Sequence, residues 1–236
     1  MSRVIITRPL PDAESFAADC LAKNHEPFLA PLMEITFFDR PAPLETIGAL
    51  AFTSVNGVRA FVRQSKRRDL RVFAVGETTA AAAEAENFAH VFAAGGDVES
   101  LAEIILNSRK LIEGAVLHIA GEHRAGDLVG LLTAKGLEAS RYSAYCAEAA
   151  AKLPASAANA IAEKTPCDIT FFSPRTATLF MKLVENAGLM EQLSRHRALC
   201  LSENVAKALS SAPWKDIRIA AARNSAAMVS LMSESA

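Results

Sequence analysis

Short apolar runs alternate with helical patterns along the whole chain. The runs at 3–7, 49–53, 71–75, 90–93, 115–120, 168–172, 198–201 and 217–220 are almost continuously apolar, which suits parallel strands covered on both faces. Between them lie helices with recognisable ends. Asp12 reads as an N-cap, with Phe16, Cys20 and Leu21 following at helical spacing. The stretch 127–135 carries Leu128, Leu131 and Leu132 and stops at Gly136. The stretch 176–187 carries Leu179, Phe180 and Leu183 and stops at Gly188, a suitable left-handed cap. The alternation predicts an α/β fold with parallel sheets.

The pattern is written twice. Leu50-Ala51-Phe52-Thr53-Ser54 is echoed by Ile169-Thr170-Phe171-Phe172-Ser173, Arg71-Val72-Phe73-Ala74 by Arg197-Ala198-Leu199-Cys200, and Val4-Ile5-Ile6-Thr7 by Leu117-His118-Ile119-Ala120. The echoes lie about half a chain apart, far beyond solenoid periods, so a whole domain is duplicated. Units at 4–30, 50–62, 71–85 and 88–105 have copies at 116–140, 169–181, 197–211 and 216–232. Two extended segments interrupt the order: proline-punctuated 26–39 and partly alternating 139–147. Each reads as a strand that finishes one sheet and crosses to the other lobe. Lobe 1 is then 1–34 with 147–236, and lobe 2 is 35–146. The crossings, near 28–38 and 139–147, lie side by side as a two-stranded connector. The alternative is one larger sheet.

Composition narrows the classes. Of 236 residues, 51% are hydrophobic and 22% charged, enough for a sizeable core, and the net charge of −1 gives no global pull towards nucleic acid or an anionic membrane. The first residues hold no apolar stretch of signal-peptide length, and no run reaches a membrane span. Cys20, Cys146, Cys167 and Cys200 are scattered, as expected of reduced thiols in a cytoplasmic protein. No apolar stripe is left over, so a monomer is expected.

Strong catalytic motifs are absent: there is no P-loop, no G-x-G-x-x-G, no G-x-S-x-G, and no metal-ligand spacing, so no metal is expected. What recurs is a strand ending in small or polar residues where a helix begins. It occurs at Thr53-Ser54-Val55-Asn56-Gly57, Gly76-Glu77-Thr78-Thr79, Gly95-Gly96-Asp97, Gly121-Glu122, Ser173-Pro174-Arg175-Thr176 and Ser202-Glu203-Asn204. Unpaired N–H groups of a first helical turn attract anions, and in open α/β sheets such turns gather at the carboxyl edge. Any one turn alone reads as simple capping. Six together around one cleft point to a ligand with several carboxylates or phosphates. Arg8, Arg124 and Arg175 follow strand ends and read either as ligand contacts or as solvated surface residues. Tyr145 reads equally as a core residue or as a hydroxyl aimed into the cleft. His118, inside an apolar strand, reads as a hydrogen-bonded core histidine, and Trp214 as a packing residue.

These residues resemble the uroporphyrinogen-III synthase family over essentially the full length. The carrying features are Ile6-Thr7-Arg8-Pro9, Phe52-Thr53-Ser54-Val55-Asn56-Gly57-Val58, Val75-Gly76-Glu77-Thr78-Thr79-Ala80, Gly95-Gly96-Asp97, Gly121-Glu122 with Arg124, Tyr145, and Phe171-Phe172-Ser173-Pro174-Arg175. The resemblance implies two flavodoxin-like lobes joined by a two-stranded connector. It also implies a cofactor-independent lyase of heme biosynthesis. The reaction cyclises the linear tetrapyrrole hydroxymethylbilane to uroporphyrinogen III, inverting ring D and losing water. The enzyme that forms hydroxymethylbilane is then a candidate partner.

The same resemblance gives Arg8, Thr53, Ser54, Asn56, Gly76, Thr78, Thr79, Gly95, Gly96, Gly121, Glu122, Arg124, Ser173, Pro174, Arg175 and Ser202 as substrate-binding positions. Tyr145 matches the family tyrosine that helps the hydroxyl leave; a phenol is protonated at neutral pH and can donate. The departure is at Ser202-Glu203-Asn204-Val205, where many relatives carry glycine and threonines, so Ser202 or Asn204 stands in for a threonine contact. The rival reading is a two-lobed module that binds a polycarboxylate or phosphorylated small molecule without chemistry.

Overall fold

The computed structural model describes residues 2–123 and 126–233. Two sheets form, which excludes the single larger sheet. The first has the order β11-β10-β9-β1-β2, from β1 (Arg3–Ile6), β2 (Glu26–Leu29), β9 (Cys167–Phe171), β10 (Arg197–Cys200) and β11 (Asp216–Ile219). All its pairs are parallel. The second has the order β3-β8-β7-β4-β5-β6, from β3 (Met33–Phe37), β4 (Ile47–Phe52), β5 (Arg71–Ala74), β6 (Val91–Ala93), β7 (Ala115–Gly121) and β8 (Ala139–Ala149). From β8 to β6 every pair is parallel. The bonds Phe38 N–H to Ala144 O and Ala150 N–H to Leu32 O run β3 antiparallel to β8.

Parallel strands need cover on both faces, and the side-chain alternation supplies two cores per sheet. In the first sheet Ile5, Ile169, Phe171, Ala198 and Cys200 pack with α6 (Ala155–Ala162) and α7 (Pro174–Asn186). Val4, Ile6 and Leu199 face the opposite way, onto α1 (Asp12–Ala22) and α9 (Ser225–Ser233). In the second sheet Leu50, Phe52, Leu117 and Ile119 meet Val58 and Phe61 of α2 (Val55–Gln64). Ala49, Ala51, Phe73 and Val116 meet α4 (Val98–Asn107) and α5 (Leu128–Thr133). By its contacts the chain divides into two compact units: residues up to Glu34 with those from Glu148 onward, and Ile35–Ala147.

Some boundaries differ from the sequence expectation. Asp12 is the first helical residue and Pro11 the N-cap, with no side-chain cap bond; the Asp12 carboxylate instead holds Arg8 at 3.3 Å. Helix α7 starts at Pro174 rather than Thr176, because Ser173 caps it and proline at N1 is already set for the helix. The segment 26–39 is two strands, β2 and β3, parted at Ala30–Leu32. Gly136 and Gly188 do adopt the left-handed region, at φ +73° and +67°. Among the described residues no helix is long and apolar enough to cross a membrane.

Candidate functional site

Each sheet ends its parallel strands in polar turns at one edge. In the first unit this carboxyl edge carries Arg8 after β1, Ser173, Pro174 and Arg175 after β9, and Ser202 after β10. Arg8 is partly committed: it pairs with Asp12, donates to Ser225 Oγ at 3.4 Å and lies over the Phe172 ring at 4.1 Å. Ser173 Oγ accepts from Thr176 N–H at 3.1 Å and sits 2.9 Å from Thr176 Oγ1. Pro174 and Arg175 are exposed. Ser202 is also an N-cap residue, but its hydroxyl makes no cap bond. It opens instead on a groove of about 330 Å³, lined also by Glu203, Asn204 and Ala220–Arg223.

In the second unit the same edge carries Thr53, Ser54 and Asn56 after β4, Gly76, Thr78 and Thr79 after β5, Gly95 and Gly96 after β6, and Gly121 and Glu122 at the end of β7. Ser54 Oγ caps α2 by accepting from Asn56 N–H at 3.1 Å. Asn56 Oδ1 accepts from Arg59 at 3.2 Å. Gly76 is the N-cap of α3 (Glu77–Ala85); Thr78 is exposed, and Thr79 is buried. Gly96 takes φ +106°, a conformation that needs glycine. The amides of Gly95 and Gly96 are already spent, on Ser100 Oγ and on Val75 O, so this turn offers a ligand less N–H than its sequence suggests. Glu122 is exposed, and its N–H bonds to Tyr145 O. Arg124 lies outside the described residues.

Tyr145 stands on β8, opposite the end of β7 at this edge. Its residue is 9% exposed, and Phe37 lies tilted beside it with ring centroids 6.3 Å apart. The register between β7 and β8 shifts after Ala120, so that Tyr145, and not Ala144, stands opposite Gly121. The ring rests on Gly121: a Cβ there would meet Tyr145 Cε2 at 2.8 Å and Cζ at 2.9 Å. The hydroxyl makes no hydrogen bond among the described residues.

These features make two edges rich in hydroxyls and helix starts. Burial pushes the Cys20 and Cys200 thiols up to about 12, so neither is a nucleophile at neutral pH. Among the described residues no group of three or more His, Cys, Asp or Glu could hold a metal ion.

The family model "HEM4: Uroporphyrinogen-III synthase HemD" matches residues 14–230. The chain belongs to the uroporphyrinogen-III synthase family. Its activity is accordingly the cyclisation of hydroxymethylbilane. A solved uroporphyrinogen-III synthetase from Helicobacter pylori 26695 is similar, at 18% identity and a TM-score of 0.65, covering 98% of each chain. A mutant uroporphyrinogen III synthase from the extremely thermophilic bacterium Thermus thermophilus shares 16% identity at a TM-score of 0.58, covering 98% of this chain and 97% of that one. At such identities these structures show the fold alone. No curated protein sequence matches.

Two residues of this synthase's second unit go beyond the sequence expectation. His118 does have a partner, as expected of a buried histidine, but that partner is Thr53 Oγ1, 3.0 Å from Nε2. Burial and the neighbouring Arg141 charge lower its pKa to about 4. Arg141 itself was not expected here. Its guanidinium donates to Gly121 O, to Glu122 O at 3.0 Å and to Ser143 Oγ at 3.0 Å, clamping the turn under Tyr145. The visible signal was an arginine within an otherwise small and aromatic strand; what it bonds to depends on register.

Proposed function

We propose that the turns on the two carboxyl edges hold the acidic side chains of hydroxymethylbilane, and that Tyr145 supplies the proton for loss of its hydroxyl. The linear tetrapyrrole carries many carboxylates, and hydroxyls with helix starts are the groups that receive them. Thr53 and Ser202 serve as side-chain donors. Ser54, whose oxygen accepts the cap bond, still carries a proton to donate, and Ser173 does so when Thr176 Oγ1 donates across their 2.9 Å contact. When the hydroxymethyl C–O bond breaks, the oxygen leaves with the bonding pair, and the phenol proton of Tyr145 completes a water molecule. The cationic carbon then bonds to the substituted α-carbon of ring D. The bond from that α-carbon to its old methylene bridge breaks and re-forms at the free α-carbon as the ring inverts. The proton displaced there returns to the Tyr145 phenolate, so one water is lost overall. Holding the chain for that closure is the larger part of catalysis.

The observation that carries the role of Tyr145 is its hydroxyl, which is set on a buried ring yet has no internal partner among the described residues. A tyrosine placed only for packing usually has its hydroxyl satisfied. Four cysteines outside any disulfide, three of them buried, support a reducing cytoplasmic setting, and we expect a monomer.

The test is Tyr145→Phe, assayed by chromatography of the oxidised products. We expect turnover to fall severalfold or more with the unfolding midpoint unchanged. Unchanged turnover and isomer ratio would remove Tyr145 from the mechanism. Wild-type protein yielding only the spontaneous type I isomer would reject the synthase activity itself, and tight binding without turnover would favour a binding module.

A further inference from the structure

His118 is the one ionisable residue in the buried run Ala115–Ala120 of β7. Its Cα partner on β4 is Ala51, and its partner on β8 is Arg141. Side chains two apart on a strand share a face, so His118 and Thr53, two residues beyond Ala51, stand on the same side of the sheet. Their polar atoms meet at 3.0 Å. A ring kept in so apolar a strand requires a reason, because a polar side chain there must be matched by a hydrogen bond to avoid a net cost. The bond it makes is to a hydroxyl just past the end of β4, half-buried and next to the cap residue Ser54. The Ser54 oxygen is engaged by the helix; the Thr53 oxygen is engaged by the imidazole.

We propose that His118 is a positioning residue: its Nε2–H donates to Thr53 Oγ1, locks the threonine rotamer, and leaves the hydroxyl proton of Thr53 free to donate to a substrate carboxylate. This role rests on Thr53 contacting substrate. The direction of the chain follows from the inventory of donors. A hydroxyl has one proton and two lone pairs, and a carboxylate only accepts. If Nε2 accepted, it would consume the one proton and turn bare lone pairs towards an anion. If Nε2 donates, the sequence ring N–H, hydroxyl O–H, carboxylate is complete, and each bond polarises the next. The ring is neutral, so it carries a single N–H, and that proton sits on Nε2. Thr53 thereby becomes a fixed donor selective for an anionic arm over a neutral one.

The decisive experiment is a cycle of His118→Leu, Thr53→Val and the double variant, with KM and kcat for freshly generated hydroxymethylbilane. His118→Leu should raise KM about tenfold, the worth of one hydrogen bond to a charged group, with kcat nearly unchanged. Thr53→Val should do the same, and the double variant should be no worse than either. His118→Gln, whose amide nitrogen reaches the place of Nε2, should restore KM to near the wild-type value. A Thr53→Val variant with wild-type kinetics would refute the contact between Thr53 and substrate. An impaired Thr53→Val beside a normal His118→Leu, or two losses that multiply, would overturn the role of His118 while leaving Thr53 in the site. Should His118→Leu fail to fold, ring nitrogen chemical shifts of the wild-type enzyme at neutral pH decide: a protonated Nε2 supports the role, and a bare Nε2 overturns it.

Discussion

Replacing Gly121 by alanine isolates the seat of Tyr145. Gly121 has no left-handed φ, so alanine meets no backbone penalty; the whole effect is spatial. The new methyl would stand 2.8 Å from Tyr145 Cε2, 2.9 Å from Cζ and 3.3 Å from the hydroxyl oxygen. Ordinary carbon contacts begin near about 3.5 Å, so the ring must retreat by about 1 Å. Its freedom to do so is small, because Tyr145 is buried and Phe37 lies beside it. Two costs follow. Overpacking should destabilise the fold by about 1–3 kcal/mol, read from urea unfolding. Displacing a proton donor by about 1 Å costs up to about 100-fold in rate, so kcat should fall by about 10- to 100-fold. Turnover is followed by chromatographic separation of the type I and type III isomers, and the type I share should rise as the unguided closure competes. A folded Gly121→Ala protein with kcat within about twofold of wild type would refute the reasoning. So would a full, multiplicative further loss when the change is made in Tyr145→Phe, since the methyl would then act on something other than the hydroxyl.

Two further predictions separate roles that look alike in sequence. Ser173→Ala should lower stability by about 1 kcal/mol, because it removes the cap bond to Thr176 N–H. Ser202→Ala should change stability by less than about 0.5 kcal/mol, because that hydroxyl caps nothing; both should raise KM, and an equal stability loss would contradict the assignment. His118 should also leave a mark on acid stability. Its folded pKa, about 4, lies below the ordinary histidine value of 6.5. Well above pH 6.5 the ring is neutral in both states and costs nothing. As pH falls through 6.5 the unfolded chain binds a proton that the folded chain refuses, so stability drops until about pH 4, by about 3 kcal/mol in all. The difference in unfolding free energy between wild type and His118→Gln, measured across this window, should show that slope, and parallel curves would contradict it.

Much of the fold was legible because parallel strands covered on both faces write themselves as apolar runs. Arg71–Ala74 and Cys167–Phe171 are buried almost throughout, and the runs that announced them differ from the observed strands by a residue or so. The split of 26–39 was less visible. Pro27 sits within β2, which is possible only because β2 is an edge strand, and edge position is a property of the assembled sheet. Turn residues were legible because they follow strand ends. How each turn spends its donors was not. Gly95 and Gly96 look like open amides, yet Ser100 and Val75 take them. Ser173 and Ser202 look alike, yet one caps and the other faces a groove. Such differences turn on small shifts in loop geometry, beyond any pattern of residue types.

The least legible feature is also the one on which the site hangs. Strict alternation along β8 would place Tyr142 and Ala144 on one face and Arg141, Ser143 and Tyr145 on the other. In the structure Ala144 and Tyr145 both pack into the core that holds Phe52 and Ile119. Two successive residues share a face because the register with β7 slips between Ala120 and Gly121, and a bulge of this kind re-aims a side chain where a regular strand cannot. The slip brings Tyr145 over the one residue in β7 with no side chain to obstruct it. Arg141, left on the far side of the slip, can then reach back to the carbonyls of Gly121 and Glu122. On the same strand β7, three residues before Gly121, His118 reaches Thr53. The hydroxyls of Tyr145 and Thr53 are therefore both placed by residues of β7, a buried strand in the interior of its sheet. Cross-strand register, rather than loop conformation, sets the geometry of the proposed proton donor and of the proposed carboxylate contact at Thr53.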